Sequence, residues 1–399
     1  MKKGKVKAIA IVLFVVLVLT SFASCNNEPE ATTPAEEVTP APTPTPAPKV
    51  VEVATEAELK EALKEGGSIK ITASFDVAQP QEVGKDTVLE IPTGKTITYS
   101  SEGSVRLFTV KEDVSLTVKG KGKIDGTKET SRGLFTVYGK LTIEEGTFET
   151  VGKNAYVSTD TSLRGAIVYA DTGSEVTING GTFYAKQYDG AIYSKGKLVI
   201  NDGKITSNSH FLDPNTTRYA YAVISLKELE VNGGEISGIH GGISIVEGTG
   251  TINDCKVTTF NTFEGANVSS WHAIYIAGEV DVIEGVTIKG GEFTSVKGSA
   301  IYVGNKIVGD GGERKKTSVT IEGGKFQGSN ASYDITYSPD TTTRIGGQFI
   351  IKGGSFKKNG VQEQSGSLKT LTDIIGTTNF EVKGPDSDGW YTVVPKATT

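Results

Sequence analysis

The sequence predicts an all-β chain wound into a right-handed parallel β-helix, a solenoid with a short N-terminal capping helix and a C-terminal cap made of a helix and a hairpin. Three observations predict it: a recurring six-residue phrase, a second apolar strand that recurs between its copies, and cap signals at both ends of the repeats. The expected parts are a signal peptide (1–24), a tether (25–49), an N-terminal cap (50–70), the β-helix (71–360) and a C-terminal cap (361–399).

The six-residue phrase begins and ends with an apolar residue and has a glycine-rich middle. Its copies are IEEGTF (143–148), INGGTF (178–183), INDGKI (200–205), VNGGEI (231–236), INDCKV (252–257), IKGGEF (288–293), IEGGKF (321–326) and IKGGSF (351–356). Successive copies start no closer than 21–22 residues apart, which is about one coil of a β-helix. We expect the apolar positions to stack inside the helix at about 4.8 Å per coil, with a corner between them.

Asparagine follows the first apolar residue in four successive copies, at Asn179, Asn201, Asn232 and Asn253. Stacked asparagine side chains can bond to one another, so we interpret this row as a structural ladder. A row of amides that binds a ligand is the alternative. Cys255 occupies a glycine position of the phrase and is expected to be a small corner residue, not a nucleophile.

The second recurring strand alternates small or polar residues with apolar ones. Its copies are GLFTV (133–137), GAIVY (165–169), GAIYS (190–194), YAVIS (221–225), GGISI (241–245), HAIYI (272–276) and SAIYV (299–303). A period of two predicts that one residue of each copy points into the core. The expected inward ladder is Ile167, Ile192, Val223, Ile243, Ile274 and Ile301.

Both ends of the repeats carry cap signals. Thr55-Glu-Ala-Glu58 is a capping box that opens an amphipathic helix to about Lys64, and two glycines close it. At the other end, 368–375 predicts a short helix, while 380–382 and 390–394 predict a closing hairpin.

The N-terminus has the features of an export signal. Four lysines within 2–7 precede an apolar stretch over 8–19, which is too short to span a membrane. The stretch ends in Phe22-Ala-Ser-Cys25, which resembles the lipobox of bacterial lipoproteins and implies lipidation of Cys25. An ordinary cleaved signal with an incidental cysteine is the alternative. The expected location is the cell envelope, at the outer membrane or the cell surface, with the lipid as the sole membrane contact.

Residues 26–49 hold seven of the thirteen prolines and predict an extended tether. Loss of residues 1–24 removes four lysines and no acids, so the net charge changes from −6 to −10. An acidic chain without a basic stripe argues against nucleic acid as a partner.

The connections between the phrase and the second strand alternate in length. Those over 149–163, 206–219 and 258–270 are long, and those between them are short. Three long loops are therefore expected to leave one corner on alternate coils, about 10 Å apart.

We expect a shallow trough beside these loops. The residues just before the second strand are Arg132, Arg164, Asp189, Ala220, His240, Trp271 and Gly298. The expected floor is an outward column of small residues, Ala166, Ala191, Ala222, Gly242, Ala273 and Ala300, and a column that includes Tyr193, Tyr275 and Tyr302 borders it. Aromatic rings beside hydrogen-bonding groups suit an extended sugar chain. The candidate binding residues are Arg164, Asp189, Tyr193, Tyr219, His240, Trp271, His272 and Tyr275.

Residues 50–399 as a whole resemble the pectin-lyase-like β-helix proteins, especially bacterial surface proteins with Ile-x-Gly-Gly-x-Phe coils and a Gly-Trp-Tyr-Thr-Val ending. The resemblance implies the architecture and leaves the chemistry open. The segment 239–245 is also similar to a Gly-His-Gly-Ile-Ser-Ile stretch of polygalacturonase-type glycosidases, whose paired aspartates are absent here.

The sequence thus favours a non-catalytic binding, adhesin-like or structural role, with a polysaccharide or glycoconjugate as partner. The alternative is a polysaccharide lyase or glycoside hydrolase that uses Asp189, His240 and Arg164. No cofactor is expected, and no metal-ligand spacing is present in the sequence.

Overall fold

The computed structural model shows a right-handed parallel β-helix whose strands form three long sheets. It describes residues 49–101, 105–128, 133–151, 166–186, 190–208, 221–260, 271–276, 283–304, 306–307, 317–329, 333–338, 344–345, 347–363, 366–375 and 379–397. The described strands make eleven successive coils, each of which contributes one strand to every sheet. The predicted fold class is confirmed.

Sheet I carries the start of the six-residue phrase. Its twelve parallel strands are Val50–Val53, Gly67–Ile71, Thr87–Glu90, Ser115–Lys119, Lys140–Ile143, Glu175–Ile178, Lys197–Ile200, Glu228–Val231, Gly248–Ile252, Ile283–Ile288, Thr317–Ile321 and Gly347–Ile351. The register places Ile178, Ile200, Val231 and Ile252 in one column. All four side chains are buried, so the predicted interior ladder is confirmed.

Sheet II carries the end of the phrase. Its parallel strands are Phe75–Val77, Thr96–Tyr99, Lys123–Gly126, Thr147–Thr150, Thr182–Ala185, Lys204–Ser207, Glu235–Gly238, Lys256–Thr259, Glu292–Thr294, Lys325–Gln327 and Ser355–Phe356. Inside it, phenylalanine rings stack from coil to coil. The ring centroids of Phe148 and Phe183 are 4.9 Å apart, and Phe326 lies 5.0 Å from both Phe293 and Phe356.

Sheet III contains the second recurring strand. Its parallel strands are Gln81–Val83, Phe108–Val110, Phe135–Val137, Val168–Ala170, Ile192–Ser194, Tyr221–Ser225, Gly241–Ile245, Ile274–Ile276, Ile301–Val303, Tyr333–Tyr337 and Gly360–Glu363. A separate two-stranded antiparallel sheet joins Lys306–Ile307 to Arg344–Ile345. Each sheet turns one face toward the interior of the helix. The apolar side chains on these three inner faces form one continuous hydrophobic core.

The asparagine ladder lies at the corner between sheets I and II. The Asn201 amide donates to Asn179 Oδ1 over 2.7 Å, Asn232 donates to Asn201 over 2.8 Å and Asn253 donates to Asn232 over 2.6 Å. At the start of the row, Asn179 donates to Glu144 over 3.0 Å. Because each amide is occupied by its neighbours, the structural interpretation of this row is confirmed. Burial raises the pKa of the neighbouring Cys255 thiol to about 12.

The N-terminal cap has the predicted form. Helix α1 spans Glu56–Glu65, and Thr55 accepts a hydrogen bond from the Glu58 amide while the Glu58 carboxylate accepts one from the Ala54 amide. The helix ends at Gly66, whose φ of 72° suits glycine. Leu59 and Leu63 are fully buried against the first coil.

The C-terminal cap contains both predicted elements. Leu368–Thr370 pairs antiparallel with the last strand of sheet III, and helix α2 follows over Leu371–Ile375. Phe380–Lys383 and Tyr391–Pro395 form the closing hairpin, which extends sheet II. The helix is shorter than predicted because 368–370 is a strand.

The register of sheet III corrects one expectation. Val168, not Ile167, pairs with Ile192 and takes its place in the inward ladder. The expectation aligned Gly165-Ala-Ile167 with Gly190-Ala-Ile192. The observed pairing is shifted by one residue from this alignment. The shift places Tyr169 outside the helix, opposite Tyr193.

The small-residue column is also different from the expectation. Ala191, Ala222, Ala273 and Ala300 are fully buried in the interior core, and Ala166 is buried in a separate cluster. A Cβ atom on Gly242 would lie 2.0 Å from Val257 Cγ1, which is inside the helix. The predicted floor of an open trough is therefore wrong. The chain bends at this corner, so the strict inward and outward alternation of a strand does not extend to it.

Candidate functional site

The corner between sheets II and III is where the long connections leave the scaffold. Thr150, Ser207 and Thr259 end their strands in one vertical column, with Ala185 and Gly238 on the coils between them. The long connections follow the first three, and the short ones follow the other two. The predicted arrangement on alternate coils is therefore confirmed, with a spacing of about 10 Å.

The outer face of sheet III carries a column of aromatic side chains beside this corner. The rings of Tyr169 and Tyr193 stack with centroids 5.6 Å apart and planes 4° apart. Further along, Tyr275 and Tyr302 stack at 5.1 Å and 1°. In both pairs the ring faces turn toward each other along the helix axis, so the stacking stabilises the sheet and leaves mainly ring edges for other contacts.

Tyr221 lies between these two pairs. Its ring covers Gly241 on the next coil, where a Cβ atom would be 2.0 Å from the ring. Its centroid is 5.7 Å from that of Tyr275. The outer face therefore has its own apolar cluster, formed by Ala166, Tyr169, Tyr193, Tyr221, Ile224 and Val246. Sheet III is thus buried on both faces along these coils.

The candidate binding residues fall into three groups. Tyr193 and His272 are 2 % exposed, which leaves almost no surface for a ligand. His240 and Trp271 are 6 % and 4 % exposed, so they are buried as well, and Tyr275 is partly exposed. The candidates outside the described residues are Arg164, Asp189 and Tyr219, and the lipidation candidate Cys25 lies outside them as well.

His240 and Trp271 come together at the corner, as their positions before adjacent strands predict. Their rings meet edge to face at a centroid distance of 4.7 Å. The Lys297 ammonium lies 5.8 Å from the Trp271 ring centroid, within reach of a cation–π interaction. This cluster combines an aromatic ring, an imidazole and a cation at the point where the third long connection returns to the scaffold.

Sequence reasoning missed two exposed apolar residues beside this cluster. Phe260 is 36 % exposed and Val296 is 43 % exposed, and they follow adjacent strands of sheet II at equivalent positions. Phe260 directly precedes the third long connection. The equivalent residues on the preceding coils include the apolar Val151 and Ile239, and Ile239 is buried, so the sequence alone gave no signal that Phe260 and Val296 are exposed.

A cation cluster lies at the start of the aromatic column. Arg106 is only 6 % exposed, and its guanidinium carbon is 4.8 Å from the Tyr169 ring centroid. Its Nε donates to the Ala166 carbonyl over 3.4 Å. On the other side, the Lys195 ammonium lies 5.4 Å from the same ring and 3.8 Å from Asp171. These contacts anchor Tyr169 on the outside of the sheet.

Within the part of the chain that the structure describes, no group of three or more His, Cys, Asp or Glu side chains is arranged to hold a metal ion. The helices of this part are all too short or too polar to cross a membrane. Comparison with known proteins finds no match to this chain among protein-family models, curated proteins or solved structures.

Proposed function

We propose that this chain is an exported, lipid-anchored envelope protein that binds glycans without catalysis at the corner between sheets II and III. The observation that carries the proposal is the vertical register of Thr150, Ser207 and Thr259, from which the three long connections depart. Variable loops on a rigid scaffold are the usual location of binding surfaces. In this proposal the chain is a pectin-lyase-like β-helix protein that acts as an adhesin or a structural binder.

The surroundings of the corner support a ligand with both apolar and hydroxyl groups. Phe260 and Val296 offer exposed apolar surface, and the Lys297 ammonium and the His240–Trp271 pair lie close by. Sugar rings pair apolar faces with polar edges, which suits such a mixed surface. The faces of the tyrosine rings are stacked on one another and are not open to a ligand. The stacked tyrosines stabilise sheet III next to this surface.

Shortening a long connection tests the binding role. The register pairs the segment 260–271 with 296–298, so a variant in which residues 261–270 are replaced by one lysine has the length of the next coil's connection. We expect this variant to keep the wild-type unfolding midpoint within a few degrees, because shorter surface loops cost little stability. Its affinity for any glycan that the wild type binds on an array should fall about tenfold or more.

A second variant shortens the first long connection, with 152–165, which include Arg164, replaced by the Gln-Tyr-Asp of residues 187–189. Full retention of glycan binding by both shortened variants would place the binding surface elsewhere. Any glycan that binds should also be tested for new reducing ends and unsaturated products. Turnover that Asp189→Ala abolishes would favour the lyase or hydrolase alternative over a non-catalytic role.

The lipid anchor is tested by Cys25→Ser. The chain has two cysteines, so Cys255→Ser is a matched control that removes the buried thiol and leaves the candidate lipidation site. We expect the wild type and Cys255→Ser to incorporate a labelled fatty acid and to sediment with membranes. Cys25→Ser should lose the label and move to the soluble fraction, because acyl chains supply the membrane affinity. Equal labelling of all three would contradict the proposal.

A further inference from the structure

The middle of the solenoid is built from units of two coils. Unit A covers residues 140–194, unit B covers 197–245 and unit C covers 248–303. In each unit a long connection follows the sheet II strand of the first coil, and a short connection follows that of the second. Because coils stack at about 4.8 Å, equivalent points of successive units lie about 10 Å apart along the axis.

Buried hydroxyl groups at the corner between sheets II and III repeat with the same period. The sheet II strand of the first coil ends in Thr150 in unit A, Ser207 in unit B and Thr259 in unit C. All three side chains are fully buried. The second coils of units A and B carry Ala185 and Gly238 at this point. A buried hydroxyl therefore marks each place where a long connection leaves the scaffold.

The outer face of sheet III also pairs the first coil of each unit with the second. In units A and C two tyrosine rings stack, with centroids 5.6 Å and 5.1 Å apart. In unit B the ring of Tyr221 on the first coil covers Gly241 on the second. Each first coil thus supplies a tyrosine whose ring contacts the second coil of the same unit.

Charged side chains on the outer faces of sheets I and II follow the same order. In units A and B a lysine on the first coil pairs with a glutamate on the second, as Lys140–Glu175 at 3.1 Å, Lys197–Glu228 at 3.0 Å and Lys204–Glu235 at 3.8 Å. In unit C, Lys256 lies opposite Glu292 in the register. Such exposed pairs contribute little stability individually, but their order gives the scaffold a period of two coils.

We propose that the three units together bind one extended glycan polymer that runs along the axis of the solenoid. The inference rests on the proposed glycan-binding function and adds the length and direction of the ligand. Units A to C present three equivalent points over about 20 Å. A disaccharide cannot reach the first and the third at once, whereas a polymer reaches all three and gains affinity with each further contact.

The side chains that a ligand meets differ between the units. The residue after the buried hydroxyl is Val151 in unit A, Asn208 in unit B and Phe260 in unit C. The units therefore share their spacing but not their surface chemistry. A polymer that follows the axis makes a different contact at each unit, and the spacing alone decides how many units it reaches.

The first test examines the two-coil unit without a ligand. Deletion of 200–251 removes two whole coils and puts Ile252 in the place of Ile200 in the interior column. The order of long and short connections is kept, and Tyr275 comes to lie on Tyr193. We expect this variant to unfold cooperatively, with a midpoint within about 5 °C of that of wild type.

Deletion of 231–251 is the matched control, because it removes a single coil. It places Lys256 directly opposite Lys204. It also replaces Gly241 by His272 beneath the ring of Tyr221, where a Cβ atom would lie 2.0 Å from the ring. We expect the midpoint of this variant to fall by about 10 °C or more. Equal midpoints for the two deletions, or a lower midpoint for the deletion of 200–251, would overturn the two-coil unit.

The second test measures binding to xylan, homogalacturonan and dextran and to the disaccharide of each, with the full-length chain. At least one polymer should bind the wild type about tenfold or more tightly than its own disaccharide does. The deletion of 200–251 should raise the Kd of that polymer about tenfold, because one unit is lost. The Kd of the disaccharide should stay within about twofold, because two units remain.

The outcomes separate this inference from glycan binding itself. A disaccharide that binds as tightly as its polymer, or a polymer whose Kd the deletion leaves unchanged, would overturn the inference while the proposed function stands. Failure of all six probes to bind would also overturn the inference, whereas a glycan bound on the array would still support the proposed function.

Discussion

Phe326→Ala is expected to lower the free energy of unfolding by about 3–5 kcal/mol. Phe326 is fully buried and lies in the middle of a three-ring stack, 5.0 Å from Phe293 on one side and from Phe356 on the other. The substitution leaves a cavity that the neighbouring rings cannot fill, because their own positions are fixed by the strands that carry them. Denaturant unfolding followed by circular dichroism measures the loss.

Tyr138→Ala is the control, since the Tyr138 side chain is 40 % exposed and should change stability by about 0.5 kcal/mol or less. Phe326→Leu should fall between the two, because it keeps most of the buried volume. A solenoid can unfold in parts, so the loss should also appear as faster hydrogen exchange in the coils around Phe326. Equal stability of Phe326→Ala and Tyr138→Ala would contradict the interior assignment of the stack.

The interior ladders could be predicted because they depend on spacing alone. A phrase with apolar ends and a glycine-rich corner has one way to bury both ends, and that is to stack on its own copies. Ile178, Ile200, Val231 and Ile252 are each fixed by the same short corner, so their register carries no ambiguity. The asparagine ladder followed from the same spacing.

The register of the second strand was less certain because a long connection precedes it. Nothing in the sequence sets where a strand begins after such a segment, and Gly165-Ala-Ile167 looks the same as Gly190-Ala-Ile192. A shift of one residue exchanges the two faces of a strand. The observed pairing puts the large Tyr169 outside, where it stacks on Tyr193, and leaves the small Ala170 inside.

The trough was predicted wrongly for a different physical reason. Alternation along a strand was extended into the corner, where the backbone bends and both neighbouring residues turn inward. Ala222 and Val223 are adjacent in the chain, yet both are fully buried in the interior core. The corner from which the long loops leave was nevertheless located correctly, because it depends on connection lengths and not on side-chain direction.

The buried His272 should make the protein sensitive to acid. Its ring is 2 % exposed and stacks on Tyr302 at 4.7 Å, and its Nδ1 accepts a hydrogen bond from the Ser299 amide over 3.1 Å. An acceptor nitrogen must be unprotonated, so this site holds the neutral imidazole. Burial lowers the pKa of His272 from 6.5 to about 3.

Between pH 6.5 and about 3 the unfolded chain binds a proton at His272 that the folded chain does not. The contribution of this residue is therefore fully present above pH 6.5 and is lost as the pH falls, by about 3 kcal/mol at pH 4.5. Asp334 acts in the opposite direction, because burial raises its pKa from 3.8 to about 6 and folding becomes more favourable as the pH falls through 6. The two effects oppose each other between about pH 6 and 4.

Substitution of each residue separates the two contributions. His272→Gln removes the ionisable ring, so its free energy of unfolding should rise relative to that of wild type when the pH is lowered from 7 to 4.5. The free energy of unfolding of Asp334→Asn should instead fall relative to that of wild type between pH 7 and 4.5. In this variant the loss of stability that comes from His272 is no longer offset by the protonation of Asp334. Urea titrations at pH 7, 6, 5 and 4.5 measure how the free energy of unfolding of each variant changes with pH. The sign of this change relative to wild type tests the prediction even if a substitution lowers the stability at pH 7. Parallel pH profiles for His272→Gln and wild type would mean that the imidazole is hydrated in solution, and the buried stack on the outside of sheet III would then be open.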